Sequence, residues 1–265
     1  MGNLVKKLLR EGLFIDAAIN EITDDLDFSS FKINKILNPK VWESENKINP
    51  DIRELLIKIA NNYYDSLELN TPIVDIILTG SLSNYNWSKY SDFDVHILID
   101  INKFGEKKEL IKNLLDAKTR SWNDNHDIKI KGYDVELYIQ GKDQEHHSTG
   151  IYSLMNEKWV IKPEKISPKI NKNIIRQKYK KIIDILDDIK KQYKNGNDEI
   201  VTSRLDKLKS RIKKMRESGL ESGGEFSPEN IVFKLLRRND IMAQIGDLMD
   251  KAYDNSMSLD EWLAQ

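Results

Sequence analysis

Three acidic residues, Asp92, Asp94 and Glu136, have the type and the spacing needed to hold divalent metal ions. Asp92 and Asp94 are separated by Phe93 in a segment that alternates acidic and apolar residues. Side chains two positions apart on a strand share a face, so both carboxylates should point the same way. Glu136, on a neighbouring strand, would complete a site for two ions about 4 Å apart, which suits in-line attack on phosphorus.

Gly80 and Ser81 form a second chemical element, because they end the β-branched run Ile73 to Leu78, which is typical of a buried strand. A glycine allows the backbone to approach a ligand closely, and the serine adds a hydroxyl group. Together they can hold the terminal phosphates of a nucleoside triphosphate. Ser91, directly before Asp92, is assigned to substrate binding with them.

The residue types present restrict the metal. Three carboxylates brought together repel one another, and a divalent cation removes that conflict. The chain contains no cysteine, which excludes disulfides, a thiolate nucleophile and a cysteine-bound zinc. Any metal must therefore be held by oxygen atoms or by a few histidines. Magnesium is the expected ion, with manganese as the alternative.

Together, Gly80-Ser81, Asp92-x-Asp94 and the apolar-flanked Glu136 resemble the signature of the DNA polymerase beta nucleotidyltransferase superfamily, over about residues 73 to 139. The resemblance implies a small mixed sheet with flanking helices. It also implies that Gly-Ser binds the triphosphate and that the three acids hold magnesium. By the same resemblance, Glu136 would help to deprotonate the attacking hydroxyl group.

The resemblance is less close in one loop. Members with the longer Gly-Ser pattern often carry a further glycine where this chain has Tyr85, which affects the expected nucleotide contacts rather than the metal site. Leu78 to Asp100 and the tail after Gly223 also resemble uncharacterised nucleotidyltransferase-like proteins of tailed bacteriophages. That second resemblance implies no substrate.

Several polar residues near these motifs allow two interpretations. Asp134 shares the face of Glu136 and is the alternative third carboxylate, although Glu136 fits the apolar-flanked pattern better. His96 would face the metal side, either as a packed, hydrogen-bonded side chain or as part of the site. The stretch His146 to Thr149 lacks the spacing of a helical metal-binding pair, so it is interpreted as a polar loop that could contact substrate at the rim.

The elements that must position these residues can be predicted from periodicity. An N-terminal helix within residues 1–22 and an irregular stretch precede a helix that begins at Pro50, followed by strands at 73–78 and 92–99. A helix over about 106–122 then leads to extended segments at 128–130 and 133–139. Residues 152–161 fit a strand or a short helix equally well.

Beyond Pro168 the pattern predicts helices throughout. The turn Asn195-Gly196-Asn197 indicates an antiparallel hairpin. A linker is expected at 219–224, followed by one long helix from Ser227 to about Tyr253 and a final turn at 258–261. We therefore predict an α+β fold with a lead-in over residues 1–49, a nucleotidyltransferase domain over 50–162 and a helical domain over 163–265.

Charge is distributed unevenly along the chain. The net charge is -1, yet residues 165–216 carry 17 Lys/Arg and 6 Asp/Glu, a local charge of +11 that leaves -12 for the rest. This basic helical region could bind RNA or nucleotide phosphates, or could be a solvated surface. Arg237 and Arg238 lie in an apolar helix and need an anionic partner, either a triphosphate or Asp240 or Asp247.

The function expected from these features is a metal-dependent transfer of a nucleoside monophosphate from a nucleoside triphosphate to a hydroxyl group. The acceptor could be an RNA end, a small molecule or a protein. A non-catalytic nucleotide-binding regulatory module and a toxin-antitoxin type nucleotidyltransferase are the alternatives. No apolar run approaches the roughly 18 residues that span a bilayer, so a cytoplasmic protein without a membrane partner is expected, in the host cytoplasm if phage-encoded.

Overall fold

The structure is a computed structural model that describes residues 26–146, 148–166 and 169–258. The helix predicted within residues 1–22 lies outside them, and the final turn predicted at 258–261 extends beyond them. The chain divides into two compact units, of which one contains residues 28–166 and the other contains the helices of residues 169–258. The prediction of an α+β fold with a mixed sheet and a helical C-terminal region is confirmed at this level.

The first unit is organised around helix α1 (Pro50–Ser66). The side chain of Asn49 accepts hydrogen bonds from the backbone N–H groups of Asp51 and Ile52, and Pro50 occupies the first turn. Both features fix where this helix begins. Its apolar stripe is buried in the main core, with Leu56 fully inaccessible to solvent.

A small hairpin precedes α1 and packs on the same core. Strands β1 (Trp42–Ser44) and β2 (Lys47–Ile48) are antiparallel. Trp42 stacks on Trp159, with ring centroids 4.7 Å apart, and donates its indole N–H to the carbonyl of Leu82. The hairpin therefore supports the chain that follows Gly80-Ser81.

Six strands form the central sheet in the order β5-β6-β4-β3-β7-β8. The strand bounds are β3 (Ile73–Thr79), β4 (Phe93–Ile99), β5 (Lys129–Ile130), β6 (Tyr133–Gly141), β7 (Ile151–Ser153) and β8 (Lys158–Ile161). The sheet is mixed, because β4 and β6 are parallel whereas the other pairs are antiparallel. The segment 152–161, which the sequence left open, thus contributes to two strands.

A crossover joins the two parallel strands. A 3-10 segment (Ile101–Lys107) leads into helix α2 (Lys108–Asn125), close to the predicted range of 106–122. Asn123 on α2 binds the backbone of Leu137 through both its amide nitrogen and its amide oxygen. This contact attaches the helix to β6 and so helps to set the position of that strand beside β4.

The second unit consists of helices. Helix α3 (Lys172–Lys194) and helix α4 (Asp198–Gly223) are joined at the predicted Asn195-Gly196-Asn197 turn, where Gly196 has a positive φ of 74°. Arg204 of α4 forms a 2.8 Å ion pair with Asp188 of α3. The predicted helical hairpin is present, and none of the described helices is long and apolar enough to cross a membrane.

Two predictions for the C-terminal part were wrong. The expected linker at 219–224 is helical up to Gly223, because Gly219 lies where α4 packs closely against the start of helix α5 (Pro228–Arg238). The expected single long helix is two, since Asp240 adopts a left-handed conformation with φ 57° between α5 and helix α6 (Ile241–Met257). The glycines of α4 therefore reflect close packing rather than a break.

Candidate metal centre

The side chains of Asp92, Asp94 and Glu136 converge at one point of the sheet. Each can offer one carboxylate oxygen such that the three oxygens lie within 4.8 Å of one another. Asp92 directly precedes β4, Asp94 is its second residue and Glu136 is on β6. All three are partly exposed, so a ligand can reach them.

The parallel pairing of β4 and β6 brings the acids together. Asp94 is directly in register with Glu136, and the flanking pairs, Phe93 with Val135 and Val95 with Leu137, are buried. Because side chains alternate between faces, burial of these apolar pairs on one face directs both acids to the other. The apolar residues on either side of the acids thus determine the direction in which the carboxylates point.

The choice between Asp134 and Glu136 is resolved by geometry. Asp134 is paired in register with Lys129 on the edge strand β5 and forms a 2.9 Å ion pair with it. Its side chain is 60% exposed and is not among the converging oxygens. Glu136, two residues further along β6, is the acid that joins Asp92 and Asp94.

Gly80 lies so close to the carboxylate of Asp94 that no residue with a side chain would fit at this position. A Cβ atom at position 80 would lie 1.8 Å from Oδ2 of Asp94. The backbone of Gly80 also has φ 72° and ψ -159°, a conformation that is essentially restricted to glycine. The glycine of the Gly-Ser pair is therefore required by both space and conformation beside the acidic group.

Ser81 begins a 3-10 turn, Ser81–Ser83, that follows Gly80. Its hydroxyl donates to Oγ of Ser91 at 2.7 Å, and the same Ser91 oxygen accepts the backbone N–H of Ser88 at 2.9 Å. Ser91 is buried, so its observed contacts are with the protein. These bonds connect the turn after Gly80 with the residues that immediately precede Asp92.

A strap formed by residues 148–150 supports the same turn, and sequence reasoning missed most of it. The backbone N–H of Gly80 donates to Oγ of Ser148 at 3.3 Å, and Ser83 donates to the carbonyl of Gly150 at 2.7 Å. A Cβ atom on Gly150 would lie 2.2 Å from the carbonyl oxygen of Ser83. In the sequence, only the polar character of residues 146–149 indicated that this segment could contact a substrate at the rim of the site.

Tyr138 is a further residue of the centre that the sequence did not single out. Its hydroxyl donates a hydrogen bond to Oε2 of Glu136. Burial raises the pKa of Tyr138, and the negative charges of Asp94 and Glu136 raise it further. The phenol therefore stays protonated and remains a donor to Glu136. The sequence signal that could have identified Tyr138 is its position two residues after Glu136 on the same strand.

His96 is part of a hydrogen-bonded chain beside the acids, not one of the converging metal ligands. Its Nδ1 is 2.7 Å from Oε1 of Gln140, and Nε2 of Gln140 is 3.3 Å from Nδ1 of His146. Burial lowers the pKa of His96 to about 4, so the ring is neutral at pH 7. It also stacks on Tyr138, with ring centroids 4.8 Å apart.

The donor set fits a hard divalent cation. The converging atoms are carboxylate oxygens, which suit magnesium, manganese or calcium better than metals that prefer sulfur or nitrogen. The hydrogen bond from Tyr138 orients one of these carboxylates, as outer groups commonly do around bound metals. The acidic group can thus hold a metal ion.

The helical unit contains the remaining candidates. Arg237 is exposed and Arg238 half-buried in the last turn of α5.

Comparisons of the chain with protein-family models, characterised proteins and solved structures found no match. The geometry of the acidic group and the sequence pattern are therefore the basis for a functional proposal.

Proposed function

We propose that the protein is a metal-dependent nucleotidyltransferase, which moves a nucleoside monophosphate from a nucleoside triphosphate to a hydroxyl group. The observation that carries the proposal is the position of Gly80 against Asp94, at the point where Asp92 and Glu136 also converge. A phosphate-binding turn and a metal-binding group then lie side by side. That arrangement is what phosphoryl-group chemistry requires, since it depends mainly on positioning and charge neutralisation.

Each residue has a defined task in the proposed reaction. Asp92, Asp94 and Glu136 hold magnesium, with manganese as a substitute, and the bound ion supplies charge neutralisation at the phosphates. Gly80 and Ser81 bind the triphosphate, with Ser91 holding Ser81 in place.

The acceptor oxygen forms a bond to the α-phosphorus, and its proton passes to Glu136. The bond between the α-phosphorus and the oxygen that bridges to the β-phosphorus breaks, and the electron pair leaves with pyrophosphate. The acceptor proposed first is an RNA end, because residues 165–216 carry a charge of +11.

The experiment incubates the protein with magnesium and each α-labelled nucleoside triphosphate. Total RNA, protein and small-molecule fractions are supplied in turn as acceptors. We expect label to enter one fraction, with release of pyrophosphate. The fraction that gains label identifies the acceptor class.

Matched variants connect the result to the centre. Asp94→Asn should abolish transfer while leaving the thermal unfolding midpoint near that of the parent, since removing one of several like charges rarely destabilises. Asp134→Asn makes the same chemical change on the exposed part of β6 and should transfer normally. Full activity in Asp94→Asn would contradict the assignment, and nucleotide binding without transfer would favour a regulatory module.

A further inference from the structure

The excess positive charge of residues 165–216 is not spread evenly over the two helices. Some cations of the two helices have acidic partners: Lys178 lies 2.9 Å from Glu229, and Arg204 of α4 lies 2.8 Å from Asp188. Residues 207–216 of α4 carry six Lys/Arg and no Asp/Glu, and all six side chains are exposed. The charge that the sequence assigns to a long region is therefore concentrated on part of one helix.

Three of these side chains form one row along α4. Lys207, Arg211 and Lys214 occupy positions i, i+4 and i+7, which lie on the same face of a helix and extend over about 10 Å at 1.5 Å per residue. All three are exposed. Within the part of the chain that the structure describes, no acidic side chain lies within ion-pair distance of any of them. We call these three residues the basic row.

The basic row borders an open groove. The described residues that line the groove are all on α4, namely Asp206, Lys207, Ser210, Arg211, Lys214 and Met215. Met215 is the one apolar residue among these six, and it is partly buried. Protein interfaces generally need an apolar or aromatic centre, whereas nucleic-acid contacts are polar and rich in cations.

We propose that the basic row binds the phosphodiester backbone of a polynucleotide. An extended chain with a charge on every unit can contact all three cations at once, which a single phosphate group cannot do. The row carries no aromatic side chain on which bases could stack, so the contact should position a strand without reading its sequence. The proposal concerns the helical unit alone and does not depend on transfer by the acidic centre.

The test measures binding without any nucleoside triphosphate. Fluorescence anisotropy of labelled 20-nucleotide oligo(U) and oligo(dT) is recorded against the full-length protein over a series of KCl concentrations. The test variant combines Lys207→Gln, Arg211→Gln and Lys214→Gln. Glutamine has almost the helix propensity of lysine and arginine, so α4 should persist, and circular dichroism checks this.

The matched control changes two lysines and one arginine on α2. Lys108→Gln, Lys118→Gln and Arg120→Gln replace exposed cations and alter the net charge equally. We expect the slope of log affinity against log salt to decrease by about 2 in the test variant, from a factor of about 0.7 per phosphate contact. Affinity near 0.1 M salt should then fall about 100-fold, with the control close to the parent.

The outcomes separate the explanations. A loss of binding confined to the test variant supports backbone contact by the basic row, and a preference for one probe identifies RNA or DNA as the source of the phosphates. No binding by the parent, or equal losses in the test and control variants, would overturn the proposal. Displacement of the probe by polyglutamate as effectively as by unlabelled oligonucleotide would also overturn it, in favour of an acidic protein surface.

Discussion

Gly80 and Asp94 are in direct contact across the antiparallel pair β3 and β4: a methyl group on Gly80 would overlap the carboxylate of Asp94, with Cβ 1.8 Å from Oδ2. The neighbouring Thr79 is the register partner of Asp94. The position of the turn after β3 and the position of the Asp94 carboxylate therefore depend on each other.

Gly80→Ala should consequently damage the metal site. The alanine has to adopt a conformation that costs of order 1–3 kcal/mol, and its methyl group displaces the Asp94 carboxylate. We expect loss of transfer and of any magnesium-induced rise in the unfolding midpoint. Gly105→Ala is the control, because that glycine also has positive φ but has open space around its Cβ position. An unchanged magnesium response in Gly80→Ala would contradict the predicted coupling.

Tyr138→Phe should weaken the centre without removing a ligand. The variant deletes the hydroxyl that donates to Glu136 and keeps the ring that stacks on His96. Loss of such an orienting group typically lowers metal affinity or activity about 10–100-fold. Manganese titration followed by thermal unfolding measures the affinity, and the exposed Tyr253→Phe serves as control. Equal affinities in both variants would show that Tyr138 does not position Glu136.

Alanine at two glycines of the helical unit should have opposite effects. A Cβ atom on Gly219 would lie 2.5 Å from Cβ of Glu229, so overpacking should outweigh the gain in helix propensity and cost about 1–3 kcal/mol. Gly246, inside α6, has no atom of the described residues within 4 Å of its Cβ position. Gly246→Ala should stabilise by about 0.5–1 kcal/mol. Urea unfolding tests both, and a stabilised Gly219→Ala would show that the two helices are not closely packed.

Alkaline pH should destabilise the sheet-containing unit through Tyr64. Burial raises the pKa of Tyr64, and its hydroxyl donates to the carbonyl of Thr71 at 2.5 Å. Above pH of about 10 the unfolded chain loses this proton while the folded chain retains it. The free energy of unfolding then falls as pH rises toward the folded-state pKa.

The pH effect is measured by urea unfolding, followed by tryptophan fluorescence, between pH 8 and 11. Tyr64→Phe should be less stable near neutral pH by about 1 kcal/mol, because a hydrogen bond is lost. Above pH 10 the free energy of unfolding of this variant should nevertheless fall less steeply with pH than that of the parent. Parallel declines would mean that Tyr64 ionises as freely in the folded state as in the unfolded one.

The sequence predicted the elements that hold the centre because their signals are local. Alternation of acids with apolar residues predicted the faces of β4 and β6, and Pro50 marked the start of α1. The strap at 148–150 was not predictable, since its contacts with Gly80 and Ser83 join residues far apart in sequence. No local pattern records which loop will pack against a given turn.

The same limit explains the errors in the helical unit. A glycine such as Gly219 usually disfavours a helix. Here the absence of a side chain lets α5 pack closely against α4, and that packing compensates for the weak helix propensity of glycine. The break at Asp240 follows from a positive φ, which aspartate adopts more readily than most residues but which its identity alone does not require. Neither outcome follows from the residue types alone.

The parallel pairing of β4 with β6 also affects when the acidic group can hold an ion. Asp94 and Glu136 are neighbours only after the crossover through α2 has docked, so a nascent chain that has emerged only as far as β4 has no complete site. An ion held by the acidic group would bind the finished fold in preference to the unfolded chain, and by mass action it would lower the unfolded fraction. On the proposed function, depleting divalent cations should therefore make the protein more sensitive to protease as well as stop the transfer.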